Sequence, residues 1–100
     1  MVIVTAKVTA APGKRDEFIR TAQESIAATR KETGCICYEL YASTEHPDKL
    51  MYFEQWATRE ALDNHMNSAH MAKFAQEKLD ATLQVGETGI GIFLTSDDYV

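Results

Sequence analysis

Long apolar runs are missing from this chain. No stretch approaches the roughly 20 residues that a membrane-spanning helix needs, so no membrane partner is expected. Clustered basic residues are missing as well. The 10 Lys and Arg are scattered among 15 Asp and Glu, for a formal net charge of −5, and no cationic stripe is present to track phosphates. Nucleic acid is therefore not an expected partner, and the mild acidity mainly favours solubility. Cysteine is scarce: Cys35 and Cys37 lie two apart in a stretch that reads as a strand, on one face but splayed, which is poor geometry for a mutual disulfide. No further ligand of suitable spacing is near them in sequence. They read as buried or half-buried thiols rather than as a redox or metal site. The opening Met-Val-Ile-Val-Thr-Ala-Lys-Val lacks a basic leader and reads as a strand, which makes a cytoplasmic location the default.

What is present is ordinary globular material. A hydrophobic fraction of 45% and a charged fraction of 25% in 100 residues indicate one domain with one modest core, spanning about 2–95, and a short acidic tail at 96–100. Residues 2–10 alternate, with Val2, Val4, Ala6 and Val8 opposite Ile3, Thr5, Lys7 and Thr9, and predict a first strand. Pro12-Gly13 is a turn. From Lys14 to about Thr33 the period is helical, with Phe18, Ile19, Ala22, Ile26 and Thr29 on one stripe, and Gly34 stops the helix. Residues 35–43 form a second strand, 44–48 a polar turn, and Lys49 to Trp56 a third strand in an antiparallel hairpin. A broken helix occupies 58–83, Val85-Gly86-Glu87 connects, and Thr88 to Thr95 is the fourth strand.

The order βαββαβ, with right-handed crossovers, places both helical segments on one face of a four-stranded antiparallel sheet, the ferredoxin-like α+β arrangement. The other face has nothing in the chain to cover it. Yet strand three is apolar on both sides, with Met51 and Phe53 on one and Leu50, Tyr52 and Trp56 on the other. A solvated face should alternate more cleanly, so the bare face is expected to pair with a second copy in a homodimer, enclosing a chamber between the two sheets. The Tyr52 and Trp56 face is expected to look into that chamber.

Titratable and aromatic groups concentrate between Tyr52 and Phe74. Thr58 is an acceptable N-cap, with Glu60 in the first turn and Ala61, Leu62 and Met66 at helical spacing. Asn67 breaks that helix, and Ser68 caps another running through Met71, Phe74, Ala75 and Leu79.

The segment Phe-Glu-Gln-Trp…Glu-Ala-Leu…His-Met-Asn-Ser-Ala-His-Met…Phe, preceded by Gly-Cys-Ile-Cys-Tyr-Glu-Leu-Tyr, resembles the antibiotic biosynthesis monooxygenase (ABM) family, closest to its quinol monooxygenase-like members. The likeness extends over nearly the whole chain. It implies a dimeric α+β barrel and, in enzymatic members, oxygenation of electron-rich aromatics without flavin or metal. Relatives on this fold also include haem-degrading enzymes and sugar-phosphate isomerases. The haem-degrading ones carry an asparagine where this chain has Thr5, Ala6 and Lys7, and an axial histidine near Ala75 and Gln76, so haem is not expected here.

Cofactor-free oxygenation needs a base for a phenolic proton, an apolar pocket that excludes water, and a donor for the developing oxyanion. His70, in the first turn after Ser68, is a candidate base because a helix N-terminus disfavours the imidazolium. It reads equally as a surface or capping histidine. His65 is a second candidate base or donor, with a half-buried packing role as its alternative. The two are five apart across a break and are not a helical metal pair; His46 sits in a polar turn and reads as solvated. Glu54, between two aromatics, is a candidate base or histidine orienter, or an inter-subunit ion-pair partner. Trp56, Tyr52 and Tyr38 are candidate pocket walls against core or interface packing. Met66, Met71 and Phe74 are core residues at helical spacing that can also line the pocket mouth. The expected activity is a cofactor-independent monooxygenase acting with molecular oxygen on a small quinol, anthrone or similar aromatic. The alternatives are a small hydroxy-carbonyl isomerase and a non-catalytic dimeric binding module.

Overall fold

Alternation in the opening residues makes β1, Val2–Ala10, the strand on which the sheet is assembled. The computed structural model describes residues 1–80 and 83–94. Within them follow α1 (Arg15–Arg30), β2 (Cys35–Ala42), β3 (Lys49–Trp56), α2 (Arg59–Met66), α3 (Ala69–Asp80) and β4 (Gln84–Leu94). The strands pair antiparallel in the order β2-β3-β1-β4, the ferredoxin-like topology the element order predicts. Val4 lies opposite Glu54 of β3 on one side and Ile92 of β4 on the other, which fixes the face shared by all three strands.

That face carries Val2, Val4, Val8, Leu50, Tyr52, Glu54 and Trp56, all buried. The helices pack on it through the expected α1 stripe of Phe18, Ala22, Ile26 and Thr29, joined by Leu62 of α2 and Phe74 of α3. The Phe18 and Phe74 rings meet edge to face with centroids 5.9 Å apart, tying α1 to α3. Burying a side chain of the size of Phe18 or Leu62 contributes about 1.5–3 kcal/mol over leaving it exposed, so these contacts seat the helical layer.

The expectation that the Tyr52 and Trp56 face looks into a chamber between two subunits therefore needs correcting. Tyr52, Glu54 and Trp56 point at the protomer's own helices, because their strand parity matches Val4 of β1 and Tyr38 of β2 beneath α1 and α2. The bare face holds the opposite parity: Thr5, Lys7, Tyr41, Met51, Phe53 and Phe93.

Two boundaries also shift. α1 ends at Arg30 rather than near Thr33, because the Lys31 and Glu32 amides bond three residues back, to Ala28 and Thr29, and tighten the chain out of the helix. Gly34 then takes φ +83°, a left-handed conformation that swings the chain into β2. β4 begins at Gln84, so the expected connector at 85–87 is strand, with Gln84 opposite Ala10 and Val85 opposite Thr9. A register shift between Lys7 and Thr9 interrupts the alternation that would have revealed it. The end of the predicted broken helix at 81–82, Thr95 and the acidic tail lie outside the described residues.

Candidate active site

Thr58 turns β3 into α2. Its hydroxyl accepts the Ala61 amide at 3.1 Å from an extended backbone, and α2 folds back over the sheet with Leu62 and His65 facing inward. Asn67 closes α2, its side chain donating to the Asp63 carbonyl at 3.0 Å. Ser68 stands at the head of α3, but its hydroxyl is turned back and donates to the His65 carbonyl at 2.7 Å. The break between α2 and α3 thus fixes His65 at the end of one helix and His70 at the start of the next.

A cavity of about 230 Å³ lies between the sheet and these helices. Tyr38, Tyr52 and Glu54 line it from β2 and β3, and His65, Met66, Met71 and Phe74 from the helices, over a floor of β1 valines. Seven of the nine residues singled out from sequence are therefore brought to one cavity. Trp56 and His70 are not. Trp56 is fully buried behind the wall, its ring 4.8 Å from that of His65, and its indole N–H donates to Glu54 Oε1 at 3.0 Å. His70 stands outside the wall, its ring 6.0 Å from that of His65. His46 is exposed in its turn.

Glu54, His65 and the hydroxyl groups of Tyr38 and Tyr52 break the apolar lining. Glu54 is 5% exposed, and burial pushes its carboxyl up to about 7 against the stabilising Trp56 hydrogen bond, with the Glu32 charge adding to the rise. The Tyr52 hydroxyl is buried and has no hydrogen-bond partner among the described residues, and burial holds its proton tightly. His65 is 2% exposed; burial lowers its affinity for a proton, outweighing the pull of Glu32. An uncharged His65 lies 2.7 Å by its Nδ1 from Glu32 Oε2, so Nδ1 carries the hydrogen and donates, leaving Nε2 as an acceptor.

Glu32 is the residue that sequence reasoning missed. The α1–β2 turn carries it to both histidines, with Oε1 3.5 Å from His70 Nε2. The cysteines are half-buried and free, and burial raises the Cys35 thiol to about 11, which leaves it unreactive.

The family model of antibiotic biosynthesis monooxygenases matches residues 1–77. The chain belongs to the antibiotic biosynthesis monooxygenase family. Among curated relatives it is similar to "Uncharacterized protein sll1783" of Synechocystis, 30% identical over 89 residues that cover 89% of this chain and 60% of that protein. It is similar also to "Putative monooxygenase YcnE" of Bacillus subtilis, 30% identical over 88% of this chain and 96% of that one. Among solved structures, a conserved protein from Methanosarcina mazei superposes with a TM-score of 0.86 at 33% identity, covering 95% of this chain and 92% of that one. The ABM fold does not by itself assign a reaction, which has to be argued from the cavity.

Proposed function

We propose that the protein is a cofactor-independent monooxygenase that oxidises a quinol, anthrone or similar hydroxylated aromatic with molecular oxygen. The carrying observation is the placement of Glu54, titrating at about 7, beside the unpartnered Tyr52 hydroxyl in an apolar cavity. Membership of the family and the name given to the YcnE relative support the same reaction class.

An anthrone-type substrate supplies all the electrons needed. Glu54 takes the first proton through the oxygen that Trp56 leaves free, and the Tyr52 O–H donates to the substrate oxyanion as charge builds there. The anion passes one electron to oxygen, and the resulting radical and superoxide combine in a new C–O bond. Protonation gives a hydroperoxide. Loss of the remaining C–H proton then breaks the O–O bond, forming a carbonyl and releasing hydroxide that is protonated to water. One CH2 and one O2 become one C=O and one H2O, with no outside reductant. Apolar walls keep water from the radical pair.

The bare sheet face, with Tyr41, Met51, Phe53 and Phe93, we read as the contact with a second copy of the chain. Oxygen-electrode measurements with an anthrone and a reduced naphthoquinol test the activity. Uptake above the uncatalysed rate is expected, falling about a hundredfold or more in Glu54→Gln. No stimulated uptake with either compound overturns the reading, and exchange of substrate α-protons with deuterated solvent in its place identifies the isomerase.

A further inference from the structure

Behind the cavity wall, Glu32, His65 and His70 bring one ligand atom each to within 4.8 Å of one another. The surroundings are unusual in what they lack. The Thr29 hydroxyl spends its proton on the Ser25 carbonyl at 2.7 Å, and the Ser68 hydroxyl spends its own on the His65 carbonyl. Each oxygen therefore presents only lone pairs to His70 Nε2, from 3.1 Å and 3.4 Å. The Glu32 carboxylate is likewise an acceptor only. Carboxylate, two hydroxyl oxygens and two imidazole nitrogens thus converge, and the hydrogens on His65 Nδ1 and His70 Nε2 are the donors that fill the knot. Both are hydrogens that a metal displaces.

We propose that Glu32, His65 and His70 form a binding site for a divalent transition-metal ion of the zinc type. Two imidazoles and a carboxylate suit such an ion, with a fourth position left for water or for Thr29 or Ser68. Zinc bonds of about 2.0–2.1 Å in a tetrahedron set ligand separations of about 3.3–3.4 Å. The two carboxylate–imidazole separations, 2.7 Å and 3.5 Å, bracket that value. The remaining contraction falls to His70, whose side chain is 25% exposed and can swing, and that exposure is also the entry path. An ion here ties the end of α1 to the α2–α3 break. It also fixes the hydrogen of His65 on Nε2, the nitrogen turned free by the present hydrogen bond, so an occupied site removes one acceptor from the cavity. That last consequence rests on the monooxygenase reading; the binding does not.

Zinc titration of the whole chain by calorimetry, with cobalt as the visible probe, tests it. One ion per chain is expected, with the absorption of tetrahedral cobalt, weakening about a hundredfold or more in Glu32→Gln and in His70→Ala. Zinc should raise the Tm of the wild type but not of His70→Ala, a substitution at a half-exposed position that spares the core. His46→Ala should change nothing. Absence of stoichiometric binding, or binding lost with His46 rather than His70, overturns the site whether or not oxygen uptake is found.

Discussion

A single carboxyl, Glu54, carries opposite consequences for stability and for chemistry. Its ordinary value near 4.5 is pushed up to about 7 by burial, so the folded chain holds a proton there that the unfolded chain has released. The sign follows from linkage: stability associated with neutral Glu54 is fully present below about pH 4.5 and is lost as pH rises to about 7. At 1.36 kcal/mol per pH unit, the loss is on the order of 3 kcal/mol. Denaturant titrations at pH 4.5 and pH 8 should show it as a difference between wild type and Glu54→Gln, whose amide stays neutral throughout. Equal pH slopes in the two proteins would contradict it. Oxygen uptake should move the other way, rising through about pH 7 as the carboxylate forms. Much of this was legible in sequence, because a glutamate between Tyr52 and Trp56 on a strand can hardly avoid burial. Glu32 was not. Beside Arg30 and Lys31 it reads as part of a solvated helix end, and only a contact 33 residues away reveals its role.

That contact depends on how two elements meet. Gly34 has φ +83°, and a Cβ placed on it would stand 2.6 Å from the Ala61 Cβ of α2. Its carbonyl accepts the Ala57 amide at 2.8 Å, so the α1–β2 turn and the β3–α2 junction are in direct backbone contact. Glu32 reaches His65 across this seam. Gly34→Ala adds left-handed strain of about 1–2 kcal/mol and overpacking of about 1–3 kcal/mol. A stability loss of about 2–5 kcal/mol is expected from chemical denaturation. Ala61→Gly, costly alone in a helix, should recover part of it in the double variant, and strictly additive losses would remove the steric explanation. Sequence identified Gly34 as a helix stop but could not show its neighbour across the seam. The start of β4 is hidden in the sequence for a related reason: its first residues pair beyond a register shift, and Gly86, Gly89 and Gly91 dilute the alternation that marks a strand.

At the scale of the molecule, the sheet offers a face that no described helix covers. Phe93 is 54% exposed and Tyr41 49%, and Met51 and Phe53 lie half-buried between them on β3. The Phe93 ring leans across Gly91, where an added Cβ would meet it at 3.0 Å, so the glycine keeps the aromatic flat against the sheet. A sheet face that carries Tyr41, Met51, Phe53 and Phe93 among Thr5, Lys7 and Glu39 suits a copy of itself related by a twofold axis. Light scattering should accordingly give about twice the 11.2 kDa chain mass at micromolar concentration. Phe53→Glu, which sets a charge from each copy against its mate, should bring the mass down to one chain. A single-chain mass for the wild type would dismiss the dimer. The cavity is a different matter, because its walls come from all four strands, Ile90 and Ile92 of β4 included, and from the helices of one protomer. A folded single-chain Phe53→Glu should therefore still bind an aromatic ligand, read as a change in tryptophan fluorescence, since Trp56 backs the wall beside His65. Loss of that signal in a variant with unchanged circular dichroism would instead mean that the second subunit shapes the cavity from outside.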